Sequence, residues 1–421
     1  MLLKASYVNG VYTDELPTES KYFGYVKCFD NSGNEIDSLG FVTWENNKWN
    51  VKVTDISSSG TCNVYFIDPP AHWLDAESGT LLKAIKDNNT VENVKTRPAK
   101  QINKPDEAIL SGTFDDYGTS YYFRGNVQNN YLIFAGKCWK IVRIDGNGNI
   151  RLWLWNDANS CTANSVPSSA FNEKSDNNAY IGYMYGDINS NVISNATGTG
   201  LHDNINDSTI LTNLKTWYDD TFNTSDNENP NKYTDLLADV IWCNDKRIHS
   251  GTGLGTTTTT YLFYVINSSS LSLKCPDFGV SKDVSRFTAY KNTDENNAKG
   301  NGKLRTVIDE TTPTEFKYYK IGLLTAQEVI YAGAKSGTDN SNYYLKSGSD
   351  WWTMTPINTS SNQACSTVIR HSTRPNSGFY VKYSYQMHPS IALIPTVQVT
   401  YNTGGTDAPG TVNNPYVVSV N

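Results

Sequence analysis

The chain has 421 residues, 18% charged and 38% hydrophobic, with a formal net charge of −7. At roughly 100–200 residues per domain this suggests two to four domains, and 10 Trp, 27 Tyr and 14 Phe exclude disorder for most of the length. The acidic balance argues against nucleic acid, which needs clustered Lys and Arg, and no apolar run approaches the roughly 20 residues of a membrane-spanning helix.

Residues 1–70 read as a small β-sandwich-like module. Runs at 21–28, 39–44, 49–53 and 61–67 alternate and are separated by Asn/Gly/Ser turns such as Asp30-Asn31-Ser32-Gly33-Asn34 and Glu45-Asn46-Asn47-Lys48. So short a unit has a thin core, which a Cys28–Cys62 disulfide would staple. Residues 71–110 carry a short helix at Thr80–Lys86, with Leu81, Leu82 and Ile85 on one face, then a polar linker with Pro98 and Pro105.

Residues 111–400 read as one larger α+β domain. Tyr121–Gly125 and Tyr131–Phe134 look like paired strands. The runs 138–144 and 150–155 flank Asp145-Gly146-Asn147-Gly148-Asn149, a strong hairpin signal. Helices are expected at Ser208–Asp220, with Leu211, Leu214, Trp217 and Tyr218 as the apolar stripe, and at Ala326–Tyr331 behind the capping box Thr325-x-x-Glu328. The polar stretches 156–207 and 244–316 show little periodicity. Residues 401–421 read as a flexible tail ending in one short apolar run, Tyr416–Val418.

The surface palette of 47 Asn with abundant Tyr, Thr, Ser and Gly suits a protein working outside cells. The opening Met1-Leu2-Leu3-Lys4-Ala5-Ser6 has no run of signal-peptide length, which leaves a truncated chain, a cytoplasmic protein or a virion protein released by lysis. The seven cysteines (28, 62, 138, 161, 243, 275 and 365) form no C-x-x-C pair. They fit isolated disulfides or buried thiols, with at least one unpaired.

Catalytic templates are missing: the five histidines (72, 202, 249, 371 and 388) are scattered, without HExxH, GxSxG or Walker patterns. No enzyme is expected. Asp145, Asn147 and Asn149 share the opening spacing of an EF-hand, but Ile150 and Asn156 stand where Gly and Glu are required, so the run reads as a hairpin turn. Trp155-Asn156-Asp157 matches a tripeptide of calcium-dependent lectins, without the partner Glu-Pro-Asn. No cofactor is therefore expected, and a structural calcium has no support.

The most informative region is 351–390. Trp351-Trp352-Thr353-Met354-Thr355-Pro356 and Met387-His388-Pro389-Ser390-Ile391-Ala392-Leu393-Ile394-Pro395 bracket about thirty residues rich in Tyr, Asn, Ser, His and Arg. Tyr offers contact area at low entropic cost and Asn and Ser offer adaptable hydrogen bonds, a chemistry suited to recognition. The candidate ligand-binding residues are Trp351, Trp352, Asn358, Asn362, Arg370, His371, Arg374, Asn376, Tyr380, Tyr383 and Tyr385.

Several strings together carry a resemblance. They are the segment Asp115–Gly125, Cys138–Arg143, Leu237–Asp245, Lys299–Leu304, Ile321–Val329 and Trp351–Pro356. In this order and spacing the chain resembles, over about residues 110–400, a domain of unknown function found in surface and pilin-like proteins of gut Firmicutes and in their phages. That family looks related to the C-type-lectin-like fold of formylglycine-generating enzymes and phage tropism determinants. The resemblance implies a C-type-lectin-like main domain, a ligand-facing surface between Trp352 and the last strand, and Cys138–Cys161 and Cys243–Cys275 as pairs. It leaves Cys365 as the candidate unpaired cysteine. The composition of 357–386 is compatible with the retroelement-diversified stretch of some members of the wider fold group. Gln386-Met387-His388-Pro389 departs from the usual Gly-x-Arg-Pro-like entry, and the oxidase chemistry of formylglycine-generating enzymes is not implied.

The expectation is a non-enzymatic recognition or adhesion protein binding a bacterial cell-surface glycan or protein, with a phage tail or fibre component favoured over a bacterial surface protein because the opening residues carry no signal peptide. A homotrimer would be expected of a tail fibre, though no heptads support it. The rivals are a structural subunit of a virion or surface filament and, least favoured, a polysaccharide hydrolase needing two facing carboxylates.

Overall fold

The computed structural model describes residues 2–36, 39–54, 59–89, 91–94, 108–194, 199–223, 228–263, 271–275, 285–287, 319–334, 342–360, 363–371 and 375–420. The fold is mostly strand, 39% against 13% helix. This corrects the expected α+β, C-type-lectin-like main domain: the structure points to an all-β protein. The helical signals are sound but short, at Leu81–Asn88, Thr209–Phe222 and Ala326–Ala332, and they dress the sheets without forming a layer of their own.

Alternation builds the first sheet. Leu2–Val8, Val11–Thr13, Phe23–Asp30, Glu35–Ile36 and Gly60–Ile67 make five strands, with Leu2–Val8 lying parallel to Gly60–Ile67 between that strand and Val11–Thr13. One face carries Val26, Cys28, Val64 and Phe66, which close on Val42 and Trp49 of the hairpin Leu39–Glu45/Lys48–Thr54. That hairpin turns on Asn46 and Asn47, both at positive φ (52° and 58°), as a two-residue turn matched to strand twist requires. Cys28 and Cys62 face each other across neighbouring strands and form the expected disulfide.

The opposite face carries a cross-strand row of Tyr12, Tyr7, Tyr65 and Tyr25. Tyr7 and Tyr25 each stack on Tyr65 at 5.0 Å. The row runs into the main body, because Tyr25 and Phe23 meet Phe114 edge-on and Phe23 meets Tyr121. Gly112 makes this approach possible, since a Cβ there would lie 2.3 Å from the Phe23 ring. The small unit thus shares the principal core with the larger one.

The main sheet is centred on Lys137–Ile144. Ile150–Asn156 returns antiparallel through the expected hairpin, and Ser390–Leu393 adds to its far side. Tyr131–Phe134 and Gly118–Gly125, expected to pair with each other, instead both pair with Lys137–Ile144, one at each of its ends. A seven-stranded sheet contains Trp351–Ser360, Gln363–Ile369, Pro375–Tyr380 and Ser384–Gln386 as well as three short strands from 168–170, 248–250 and 259–261. Trp139, Trp153, Trp351 and Trp352 fill the core with under 2% exposure each.

The segment expected to be a flexible tail is part of the fold. Tyr416–Val418 lies parallel to Leu132–Ile133 and antiparallel to Val399–Thr400, and Tyr416 is fully buried. Disulfides join Cys138 to Cys161 and Cys243 to Cys275, and Cys365 is a free, buried thiol. Three disulfides are those of a chain that folds and works in an oxidising, extracellular setting. Among the described residues no helix is long and apolar enough to cross a membrane.

Candidate functional site

The sheet of Trp351–Ser360 reaches the surface at its start, where Asp350 precedes the strand and Arg370 and His371 follow its neighbour. Asp350 organises this edge. Its Oδ1 accepts from the His371 backbone N–H at 2.7 Å and lies 3.1 Å from His371 Nδ1, while its Oδ2 lies 3.2 Å from Arg370 Nε. The Arg370 guanidinium sits over the Phe379 ring, 5.0 Å from its centroid. Phe379 meets Tyr385 edge-on at 5.4 Å, and Tyr385 meets the buried Trp352 edge-on at 5.1 Å.

A ladder of contacts therefore runs from the core to a charged, solvent-facing end, and it holds that end in one geometry. Beside it the turn at Val381–Tyr383 brings Tyr383 back to within 5.5 Å of the Tyr380 ring. Tyr383 is 46% exposed, the His371 side chain 61% and the Arg370 side chain 31%. Such a face can stack an apolar ring surface and donate and accept hydrogen bonds around it.

Three of the eleven candidate residues, Arg370, His371 and Tyr385, thus gather at the Asp350 edge, whereas Tyr380, which follows Phe379 in the strand and so points to the opposite sheet face, pairs with Tyr383. Trp351 and Trp352 are corrected from surface anchors to core, 1% and 0% exposed, because the strand that carries them is buried on both faces. Trp352 still supports the face from beneath, its Nε1–H donating to Ser169 O. Asn358 is half-buried near the far end of the same strand, opposite Thr260 and Cys365. Asn376 lies on the Pro375–Tyr380 strand, its side chain outside the described residues, as are Asn362, Arg374 and the Lys299–Leu304 string. Asp350 and Phe379 belong to the face and were missed, although an acidic residue just ahead of a Trp-Trp strand is a readable signal.

A second polar centre is buried. Arg143 bonds Asp115 at 2.6 Å and Glu328 at 3.0 Å, and Arg151 reaches the same Glu328 oxygen at 3.2 Å while its guanidinium packs on Trp242. All four side chains are nearly inaccessible. Burial works to raise the Glu328 pKa, but Arg151 and Arg143 together outweigh it and hold the carboxyl below its ordinary value. A cavity of about 50 Å³ adjoins the network, also lined by Asp245 and Arg247, room for a few waters and too small for a sugar ring. The network ties together strings 115–125, 138–143 and 321–329. It joins the main sheet to the capped helix Ala326–Ala332, whose Thr325 N–H donates to Glu328 Oε2 at 2.9 Å. Arg143 and Arg151 could have been noticed as lone charges inside apolar strand patterns of a chain poor in charge.

The Asp145 carboxylate accepts from Asn147 N–H and Asn149 N–H, both at 2.9 Å, so its oxygens serve the turn, as the hairpin reading expects. Asp157 pairs with Lys137 at 2.6 Å and accepts from Trp217 Nε1 at 3.0 Å. No cluster of three or more metal-ligating side chains occurs among the described residues. His388 lies flat on Trp153 at 4.1 Å and serves the core. No family model, curated protein or solved structure matches the chain.

Proposed function

We propose that the chain is a non-enzymatic recognition protein that adheres to a bacterial cell-surface glycan through the edge formed by Arg370, His371 and Tyr385. The observation that carries this reading is the contact ladder Trp352–Tyr385–Phe379–Arg370, which anchors exposed polar and aromatic groups to the core. Rigid presentation reduces the ordering cost of binding, and exposed aromatic rings beside hydrogen-bonding groups suit sugar rings and their hydroxyls. The three disulfides support work outside the cell. They also favour a bacterial surface structure over a phage tail, since tail proteins assemble in a reducing cytoplasm.

The test is adsorption of the labelled protein to bacterial cells before and after periodate oxidation of their glycans. Alanine at Arg370, His371 and Tyr385 together is expected to abolish adsorption while leaving the melting temperature within a few degrees. Adsorption that survives the triple substitution places the binding surface elsewhere, and adsorption that survives periodate makes the receptor something other than a glycan.

A further inference from the structure

The cationic edge of the face has a chemistry that its aromatic part lacks. Arg370 is met on two sides, by the Asp350 carboxylate 3.2 Å from Nε and by the Phe379 ring 5.0 Å from the guanidinium carbon. Its Nε is buried, so the exposed 31% of the side chain belongs to its other atoms, and no described residue bonds either Nη. Asp350, the one carboxylate among the described residues that meets it, is already shared with the backbone and ring nitrogens of His371. Lys382, exposed in the adjoining turn beside Tyr383, adds a second cation with no carboxylate partner among the described residues. The face therefore offers more positive charge than it neutralises, in a chain whose net charge is −7.

We infer that the ligand of this face is an acidic polysaccharide, its sugar carboxylate held by the outward Nη pair of Arg370. This rests on the adhesion reading of the same face and names its ligand class. A guanidinium already met at Nε matches a carboxylate through two parallel N–H···O bonds, and it loses little freedom on doing so. A neutral glycan would leave those donors unmatched and gain only ring contacts.

The probes are polygalacturonate, which carries a carboxylate on each sugar, and dextran, which carries none, titrated against the full chain by calorimetry. Polygalacturonate is expected to bind, with affinity falling as salt rises from about 50 to about 500 mM. Arg370→Gln should weaken it roughly tenfold or more, the worth of a charge-assisted pair, and Arg370→Lys, which keeps the charge and loses the fork, should fall between. Unchanged melting temperatures in both variants confirm that they fold. Dextran binding as tightly as polygalacturonate, with Arg370→Gln indifferent, overturns the acidic ligand and leaves glycan adhesion standing. The acidic ligand is likewise overturned, with adhesion intact, if neither polymer binds while the protein still adsorbs to periodate-sensitive cells. Failure of both polymers and of cell adsorption overturns the adhesion reading as well.

Discussion

His388 and His202 are imidazoles kept neutral by their surroundings. His388 lies between Trp153 and Trp351 and its Nδ1–H donates to Leu154 O at 2.7 Å; His202 lies beside Tyr261 and the Lys246 ammonium. Burial lowers both to about 3. In the unfolded chain each takes up a proton near pH 6.5, so the folded state binds fewer protons below that point and loses stability as pH falls. The slope is about 1.4 kcal/mol per pH unit for each ring, or about 5 kcal/mol for the pair between pH 6.5 and 4.5. Urea unfolding across that range should show it; a flat profile would mean that these rings are not buried neutral. Glu328 adds a further loss below its unfolded pKa of about 4.5, because its folded value is depressed. Glu328→Gln should cost about 3–5 kcal/mol at neutral pH, since it strands Arg143 and Arg151 without their shared counter-charge. A change under about 1 kcal/mol in urea unfolding would show that water or another group already neutralises them. None of these roles was legible residue by residue: a lone histidine or arginine in a sequence does not say which distant strand will cover it.

Elements with local signals were legible. The capping box at Thr325 and Glu328 forms as read, Ser208 caps Thr209–Phe222, and the 138–156 hairpin turns on Asp145–Asn149. Strands of two or three residues, such as Met184–Tyr185 or Thr259–Tyr261, have no periodicity to detect, so 156–207 and 244–316 show little of it in the sequence. Pairing is a non-local property, which is why Gly118–Gly125 and Tyr131–Phe134 were joined to each other rather than to their common partner. The C-terminal strand was hidden for a related reason: a three-residue apolar run after Gly-Gly and Pro-Gly looks like a tail until its partner is known. Tyr416→Ala should therefore cost about 3–4 kcal/mol by thermal or urea unfolding, as the loss of a large buried ring does, whereas a free tail would register nothing. Reduction of Cys28–Cys62, which closes a separation of 34 residues, should cost about 4 kcal/mol on the chain-entropy view. Loss of that staple alone, in a Cys28→Ser/Cys62→Ser chain, should raise hydrogen exchange in 23–30 and 60–67 first. Exchange that rises equally in the main sheet would instead mean that the small unit and the large one unfold together.

At the scale of the whole molecule the chain divides its composition. Tryptophans such as Trp139, Trp153, Trp351 and Trp352 build the interior, and tyrosines add much of the remaining aromatic contact, from the Tyr12–Tyr7–Tyr65–Tyr25 row to the Tyr380–Tyr383 pair. Helix signals suggested an α+β body because each one is locally correct. Their small total, against many short strands, decides the all-β class. For the proposed recognition face, residue types mark the stretch, but only packing separates the buried Trp351 and Trp352 from the exposed Arg370, His371 and Tyr383. Hydrogen–deuterium exchange of the full chain, alone and with polysaccharide released from bacterial cell walls, tests the central claim most directly. Protection confined to 370–371 and 379–386 is the expected result; no protection there, or protection centred instead on Asp115, Arg143 and Glu328, would contradict it.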